Sequence, residues 1–216
     1  MPSASSLDAV TVDAMGTLVE LDDPPGRLRE ALAARGVERS RDEVKAAFGA
    51  EVAYYLPRTL EGNDKASLGD LRRRCTAVFL EHARADLDAE SFAPAFAEAI
   101  VFRAVSGARE ALVRVRNAGL ALACISNWDV SLRPQLERSG LDDLFAEIVS
   151  SAEAGAAKPD PAVFAVALER LGVAAERALH IGDGDNDREG AAAAGLAFEP
   201  VPLATLPERL GLGRRP

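Results

Sequence analysis

The sequence predicts an α/β fold, in which a parallel sheet carries helices on both faces and an all-helical segment is inserted near the N-terminus. From residue 105 onward, short apolar runs alternate with amphipathic stretches, as strands and helices do in such a sheet. Between residues 21 and 102, apolar residues instead recur at helical spacing and no convincing strand occurs. We therefore assign residues 1–20 and 103–216 to the α/β domain and 21–102 to the helical domain.

The first strand is predicted at the apolar run Ala9–Val12, which is followed directly by Asp13. A carboxylate at the end of a buried strand is costly unless it is paired, bound to a metal or used in chemistry. Gly16 allows the chain to turn tightly as it leaves the strand. Asp13 is therefore the first candidate site residue.

The helical insertion is predicted to contain four helices, the first ending near Gly36 and the others covering about 41–56, 67–83 and 88–102. Pro57 is expected to end the second helix, and Ser67 is expected to cap the third. Pro94 is expected to make the fourth helix irregular. A bundle of four helices is consistent with this pattern.

The second half of the chain predicts four further strands, at 120–125, 147–149, 178–181 and 196–201. The run at 120–125 is apolar throughout, as expected of a strand that is covered on both faces. Helices are predicted between the strands at 106–117, with Ser106 as the cap, and at 132–139, 161–171 and 187–194. The strand at 9–12 would join this sheet across the insertion.

Polar residues follow three of these strands, where ligands bind in an open parallel sheet. Besides Asp13, the pair Ser126 and Asn127 follows one strand, and the acidic segment 182–187 follows another. Three carboxylates within five residues repel one another without a cation, which favours metal binding over a solvated turn. Only three of the 25 Lys and Arg residues are lysines. A lysine at position 158, just before a Pro-Asp-Pro turn, therefore indicates a site that uses the compact charge of an ammonium group.

In these segments the chain resembles the haloacid dehalogenase-like (HAD) hydrolase superfamily. Four motifs occur in that family's order: VDAMGT at 12–17, CISN at 124–127, AAKPDP at 156–161 and HIGDGDND at 180–187. The resemblance covers nearly the whole chain. It implies a Rossmann-like core, and the helical insertion is similar to the family's small helical cap.

The resemblance also implies an activity, that of a phosphohydrolase acting on a small phosphorylated metabolite through an aspartyl-phosphate on Asp13. Ser126 and Lys158 would share in catalysis with this nucleophile. The implied Mg²⁺ ligands are Asp13, the backbone carbonyl of Met15, Asp183 and Asp187. The implied phosphate-binding residues are Gly16, Thr17, Ser126, Asn127 and Lys158.

Two departures from the family pattern bear on these roles. Many relatives have four residues between the two acids of the last motif, whereas three separate Asp183 from Asp187, so Asp185 is also a candidate for the second acidic contact. Met15 occupies the position where family phosphatases usually carry Asp as general acid and base. Because such assistance is typically worth about 10²–10⁴ in rate, we expect weak turnover of alkyl phosphates.

Two alternative functions stay open at this point. Metal-independent 2-haloacid dehalogenases of the family also lack Asp at the position of Met15, but they replace the acidic motif with Ser/Asn-type residues, whereas Asp183 and Asp187 are present here. The second alternative is a non-catalytic homologue that binds a phosphorylated ligand or a protein partner. Phosphonate-cleaving relatives also lack this Asp but use a cap lysine; Lys45 and Lys65 are the only candidates for it, and neither lies in a recognisable motif.

The composition of the chain limits the kinds of binding partner and the cellular compartment that we expect. The net charge of -9 argues against nucleic-acid binding, and no apolar run is long enough to span a membrane. No signal peptide is predicted. Cys75 and Cys124 are far apart and lack metal-ligand spacing, so we expect a reduced, cytoplasmic protein. No other His or Cys clusters with His180, which is predicted to be structural.

Overall fold

The computed structural model describes residues 4–212, which divide into two compact units. The core unit consists of the chain up to Glu20 and from Ala104 onward, and the helical unit consists of Leu21–Arg103. The strands are β1 (Ala9–Val12), β2 (Val19–Leu21), β3 (Phe102–Ala104), β4 (Ala121–Ser126), β5 (Glu147–Ser150), β6 (Ala178–Gly182) and β7 (Ala197–Pro200).

The α-helices of the helical unit are α1 (Pro24–Ala33), α2 (Arg41–Tyr55), α3 (Lys65–His82) and α4 (Ala89–Ala99). Those of the core unit are α5 (Ala108–Asn117), α6 (Leu132–Arg138), α7 (Ser151–Ala154), α8 (Ala162–Leu171), α9 (Asp185–Ala193) and α10 (Leu206–Arg209). Short 3₁₀ helices lie at Ala4–Ser6, Leu56–Glu61, Asp142–Leu144, Ala175–Arg177 and Leu203–Thr205.

The core unit is built on a parallel sheet with the strand order β5-β4-β1-β6-β7. The central strand β1 is buried along its whole length, and its last residue, Val12, lies opposite Cys124 of β4 and Ile181 of β6. The carboxyl ends of β4, β1 and β6 therefore lie side by side. The predicted α/β fold with a parallel sheet is confirmed.

Helix α8 shows how helices cover this sheet. Its apolar residues recur at helical spacing, and Val163, Phe164 and Ala167 are fully buried against Ile125 of β4 and Val149 of β5. Burial of a side chain as large as Val163 or Phe164 contributes roughly 1.5–3 kcal/mol. This packing fixes the positions of the strand ends that carry the polar residues.

The helical unit has its own apolar core, which is centred on three phenylalanines. The ring of Phe79 stacks on that of Phe92 with centroids 6.3 Å apart, and it meets that of Phe96 at 5.1 Å. Side chains at the N-termini of the helices accept from free backbone N–H groups, as Ser40 does at α2 and Asp88 does at α4.

Helix starts differ from the prediction where several capping residues lie close together. The third helix begins at Lys65, because Asp64 is the cap and Ser67 completes the capping box three residues later. Helix α5 has Gly107 at its N-cap, and not Ser106. Helix α2 ends at Tyr55, close to where Pro57 was predicted to end it, and Pro57 lies in the first turn of the 3₁₀ helix that follows.

The prediction of no strand near residues 21 and 102 was wrong. The strands β2 and β3 pair in a separate two-stranded sheet. Each has only three residues, which is too short for an alternating pattern to show in the sequence. In the described part of the chain, none of the helices is long and apolar enough to cross a membrane.

Glu51 of α2 is a buried carboxyl group within the helical unit, with 6% of its surface exposed. Burial raises the pKa of Glu51 to about 7, although a hydrogen bond with Cys75 works in the other direction. The side chain is therefore protonated in the folded protein at mildly acidic pH.

We predict that Glu51→Gln stabilises the protein at pH 8 and has little effect at pH 4.5. The unfolded chain ionises Glu51 near pH 4.5, so wild-type stability is fully present below that pH and is lost as pH rises through about 7. At about 1.4 kcal/mol per pKa unit, the rise from 4.5 to about 7 makes the difference at pH 8 about 3 kcal/mol. Urea unfolding at both pH values measures it.

Glu81→Gln, on the exposed side of α3, is the matched control and should change stability little at either pH. An equal effect of Glu51→Gln at pH 4.5 and pH 8 would contradict a buried, neutral Glu51.

Candidate active site

Asp13 and Ser126 come together because they follow neighbouring parallel strands. The backbone N–H of Asp13 donates to the carbonyl of Ile181 at 2.9 Å, which extends the pairing of β1 with β6. Ser126 is the last residue of β4, and its hydroxyl donates to Oδ1 of Asp13 at 3.0 Å. Both side chains are almost completely buried, at 5% and 2% exposure.

Lys158 reaches the same carboxylate from the loop between α7 and α8. Its Nζ lies 2.5 Å from Oδ1 of Asp13, 2.5 Å from Oδ1 of Asp187 and 3.0 Å from the carbonyl of Ile125. An ammonium group has three donors, and these three acceptors use all of them. The buried cation is thus held between two carboxylates, with no donor left unsatisfied.

Asn127 fixes the backbone of Lys158. The backbone N–H of Lys158 donates to Oδ1 of Asn127 at 2.7 Å, and Nδ2 of Asn127 donates to the carbonyl of Lys158 at 2.9 Å. The sequence suggested that Asn127 binds phosphate. In this structure both ends of its side-chain amide are engaged with Lys158, so the amide positions the lysine.

Asp187 lies in the first turn of α9 and points into the site. Its Oδ1 accepts from Lys158 and also lies 3.0 Å from Nε2 of His180, while its Oδ2 accepts from the backbone N–H of Gly184 at 3.2 Å. A Cβ atom at position 182 would overlap the carboxyl group of Asp187, so the close approach of Asp187 to β6 requires Gly182.

His180 is a functional candidate that the sequence reasoning missed. It is fully buried in β6, opposite Thr11 in β1, and its Nδ1 lies 2.8 Å from the hydroxyl oxygen of Thr11. Burial lowers the pKa of His180, so the imidazole is neutral. One sequence signal could have revealed this contact: β1 and β6 are otherwise apolar, and each carries one polar residue, Thr11 and His180, at matching positions.

Asp183 completes an acidic group with Asp13 and Asp187. One carboxylate oxygen from each lies within 4.8 Å of those of the other two. Asp183 is exposed, and its carboxyl group lies against Gly16, whose φ of +76° and lack of a Cβ permit that approach. Asp185 is also exposed but lies outside the group of three.

The site carries more negative than positive charge. Three carboxylates face one ammonium group, and the imidazole is neutral. Burial raises the pKa of both Asp13 and Asp183, and the charge of Lys158 opposes this at Asp13. At Asp187 burial acts in the same direction, but the hydrogen bond from His180 and the charge of Lys158 lower the pKa to about 2. A cation would relieve the remaining repulsion.

Asp13 has one oxygen that is fixed and one that is open. Ser126 and Lys158 both contact Oδ1, and among the described residues no hydrogen bond ends on Oδ2. A carboxylate held in this way can present its second oxygen to an electrophile. The arrangement therefore suits a nucleophile, or a ligand of a metal ion.

The loop after Asp13 carries the remaining predicted residues. The Met15 side chain is 37% exposed, and no backbone hydrogen bond among the described residues ends on its carbonyl. The Thr17 hydroxyl is buried and has no hydrogen-bond partner in the described part of the chain. In the helical unit, Lys45 and Lys65 are both exposed.

The chain is similar in sequence to several known proteins. The first curated relatives match over only part of their length: the haloacid dehalogenase-like hydrolase domain-containing protein 3 of Danio rerio is 48% identical over 65 residues, which are 30% of this chain and 27% of that protein. A phosphoglycolate phosphatase of Nitrosospira multiformis is 30% identical over 202 residues, covering 91% of this chain and 83% of that protein.

The fold is shared with the HAD-hydrolase YfnB of Bacillus subtilis, whose crystal structure has magnesium bound. The TM-score is 0.74 at 19% identity, covering 95% of this chain and 99% of that one. The family model for haloacid dehalogenase-like hydrolases matches residues 7–195. The chain therefore belongs to the haloacid dehalogenase-like hydrolase family.

Proposed function

We propose that this protein is a Mg²⁺-dependent phosphohydrolase that acts on a small phosphorylated metabolite, with Asp13 as the nucleophile. One observation carries the proposal: Asp13 is buried, with one oxygen held by Ser126 and Lys158 and the other open, beside an acidic group that could hold a cation. The names of phosphatase relatives are consistent with this activity.

The residues fit a magnesium ion. Carboxylate and carbonyl oxygens are the hard ligands that Mg²⁺ prefers. Asp13, Asp183 and the backbone carbonyl of Met15 would hold it, and Asp187 would add its Oδ2, because Oδ1 already has two partners. Bound there, the ion would offset the charge of the carboxylates and of an incoming phosphate.

The protein groups then account for a two-step transfer. An oxygen of Asp13 attacks phosphorus, the bond from phosphorus to the leaving oxygen breaks, and that oxygen departs with its electron pair. Water then attacks the aspartyl-phosphate, which releases phosphate and restores the carboxylate. Lys158 and Ser126 would hold Oδ1 of the reacting carboxylate with the donors that they already direct at it. The Thr17 hydroxyl, which has no hydrogen-bond partner among the described residues, would be available to donate to a phosphate oxygen.

Met15 limits which leaving groups depart easily. A thioether carries no proton to donate, and the neighbouring Lys158 already has three acceptors. Substrates whose leaving oxygen is stable as an anion, such as aryl phosphates, need no proton at that step. We infer that such substrates turn over faster than alkyl phosphates.

A 2-haloacid dehalogenase is the alternative that Met15 favours, because a halide leaves without a proton. The acidic group argues against it: attack on carbon needs no metal, and three carboxylates close to one lysine would then remain uncompensated. A non-catalytic role in binding a phosphorylated ligand would leave the open oxygen of Asp13 without a use.

We predict that the protein hydrolyses p-nitrophenyl phosphate with Mg²⁺, and that EDTA abolishes the activity. Asp13→Asn should lower turnover on the order of 10³-fold or more, because an amide is not a nucleophile here. The release of nitrophenolate measures the rate.

Asp185→Asn is the matched control and should keep activity close to that of the wild type, since Asp185 lies outside the acidic group. Halide release from 2-haloacids in the presence of EDTA would instead establish the dehalogenase. Binding of Mg²⁺ and phosphate without either reaction would establish the non-catalytic role.

We predict that Met15→Asp raises the turnover of an alkyl phosphate such as glycerol phosphate by about 10²–10⁴. The new carboxyl group would supply the proton that the leaving alkoxide needs, so aryl phosphate turnover should change much less. Steady-state rates on both substrates give the ratio.

Met15→Asn controls for shape and polarity without adding an acid, and it should leave the ratio of the two rates unchanged. An equal gain for Met15→Asp and Met15→Asn would rule out a missing general acid as the cause of slow alkyl turnover.

A further inference from the structure

We propose that Thr11 and His180 are positioning residues, which hold the carboxylate of Asp187 against Lys158 and keep its Oδ2 open for a cation. The purpose that we give to this arrangement rests on the proposed function. The arrangement itself can be tested without measuring any activity. It is carried by a continuous chain of contacts, from Thr11 through His180 and Asp187 to Lys158.

The direction of each hydrogen bond follows from the chemistry of the groups. An ionised carboxylate only accepts, so Nε2 of His180 must carry the proton that faces Asp187. In a neutral imidazole the other nitrogen is then an acceptor, and the hydroxyl of Thr11 must donate to Nδ1. Thr11 thereby selects the tautomer of His180 that can bind Asp187.

The N–H group of His180 determines which partners each carboxylate oxygen of Asp187 has. Oδ1 accepts hydrogen bonds from both His180 and Lys158, and these two bonds occupy its two lone pairs. Oδ2 receives only the backbone N–H of Gly184, so one lone pair stays available. Without His180, the carboxylate could rotate and exchange the two oxygens, and Lys158 would lose a fixed partner.

The surroundings make the imidazole rigid. His180 and Thr11 are both fully buried in central strands, and the ring of Phe164 meets the imidazole edge-on at 4.9 Å. Because an unpaired polar group costs free energy in such a place, both nitrogens of the ring need their partners. Partners of this kind, which orient a ligand from behind, typically change metal affinity or activity about 10–100-fold when they are replaced.

The tautomer of His180 is the first test, and it needs no substrate. The chain has only two histidines, and His82 is exposed, so ¹⁵N-histidine labelling gives two separable rings, with His82 as an internal reference. Long-range ¹H–¹⁵N spectra of the full chain, with and without Mg²⁺, should show His180 as the neutral form protonated at Nε2. Protonation at Nδ1 would overturn the proposal.

Thr11→Val extends this test to the first member of the chain. Valine keeps the shape of threonine but removes the hydroxyl donor. The Nδ1 signal of His180 should then move toward the position of a free acceptor, and the signal of His82 should stay in place. An unchanged Nδ1 signal would show that Thr11 does not bind His180.

The second test separates positioning from packing with two variants of similar length. His180→Gln places an amide N–H where Nε2 lies, and His180→Met fills the space without a donor. We expect His180→Met to weaken Mg²⁺ binding in calorimetry about 10–100-fold and to lower kcat on p-nitrophenyl phosphate in the same range. His180→Gln should restore both to within a few-fold of the wild type.

Equal loss in the two variants, or wild-type behaviour in both, would overturn the positioning role. If the wild-type protein hydrolyses no phosphate ester, the proposed function fails. The tautomer of His180 and the difference in Mg²⁺ binding between Gln and Met still decide the positioning role in that case.

Discussion

The buried ion cluster around Lys158 is the interaction on which the rest of the site depends. Removing an ammonium group and two carboxylates from water is expensive, and their attraction offsets the cost only where the geometry satisfies every donor. Here Asp13, Asp187 and the carbonyl of Ile125 receive all three N–H groups, and Asn127 fixes the lysine backbone from behind. The central strands, the loop before α8 and the start of α9 must therefore fit together.

The same cluster is the reason why we propose a cation at this site, and it indicates the kind of chemistry that the site would favour. Lys158 balances only one of three carboxylates, so the acidic group retains negative charge at the place where a phosphate would enter. In the proposed reaction, Asp13 would remain the nucleophile, but Met15 would provide no proton for a leaving group. The site would then be able to form the new bond, while its ability to break the old one would depend on the substrate.

Much of the fold could be predicted from the sequence, because alternating apolar runs and helical spacing are local patterns. The alternation of strands and helices, the insertion of helices and the strand-end position of Asp13 all follow from such patterns, whereas the order of the strands in the sheet came only from the structure. The errors occurred where local signals were weak or crowded. The strands β2 and β3 have three residues each, and at α3 the neighbouring Asp64 and Ser67 could each have been the cap.

The sequence by itself determined the family and a candidate for each charged group, since these depend on residue types at fixed spacing. Only the tertiary structure decided which groups touch. It brought Asp187 and not Asp185 into the acidic group, used the amide of Asn127 for Lys158, and joined His180 to Thr11, 169 residues away. Such contacts depend on strand register and on side-chain direction, which arise only when distant segments pack together.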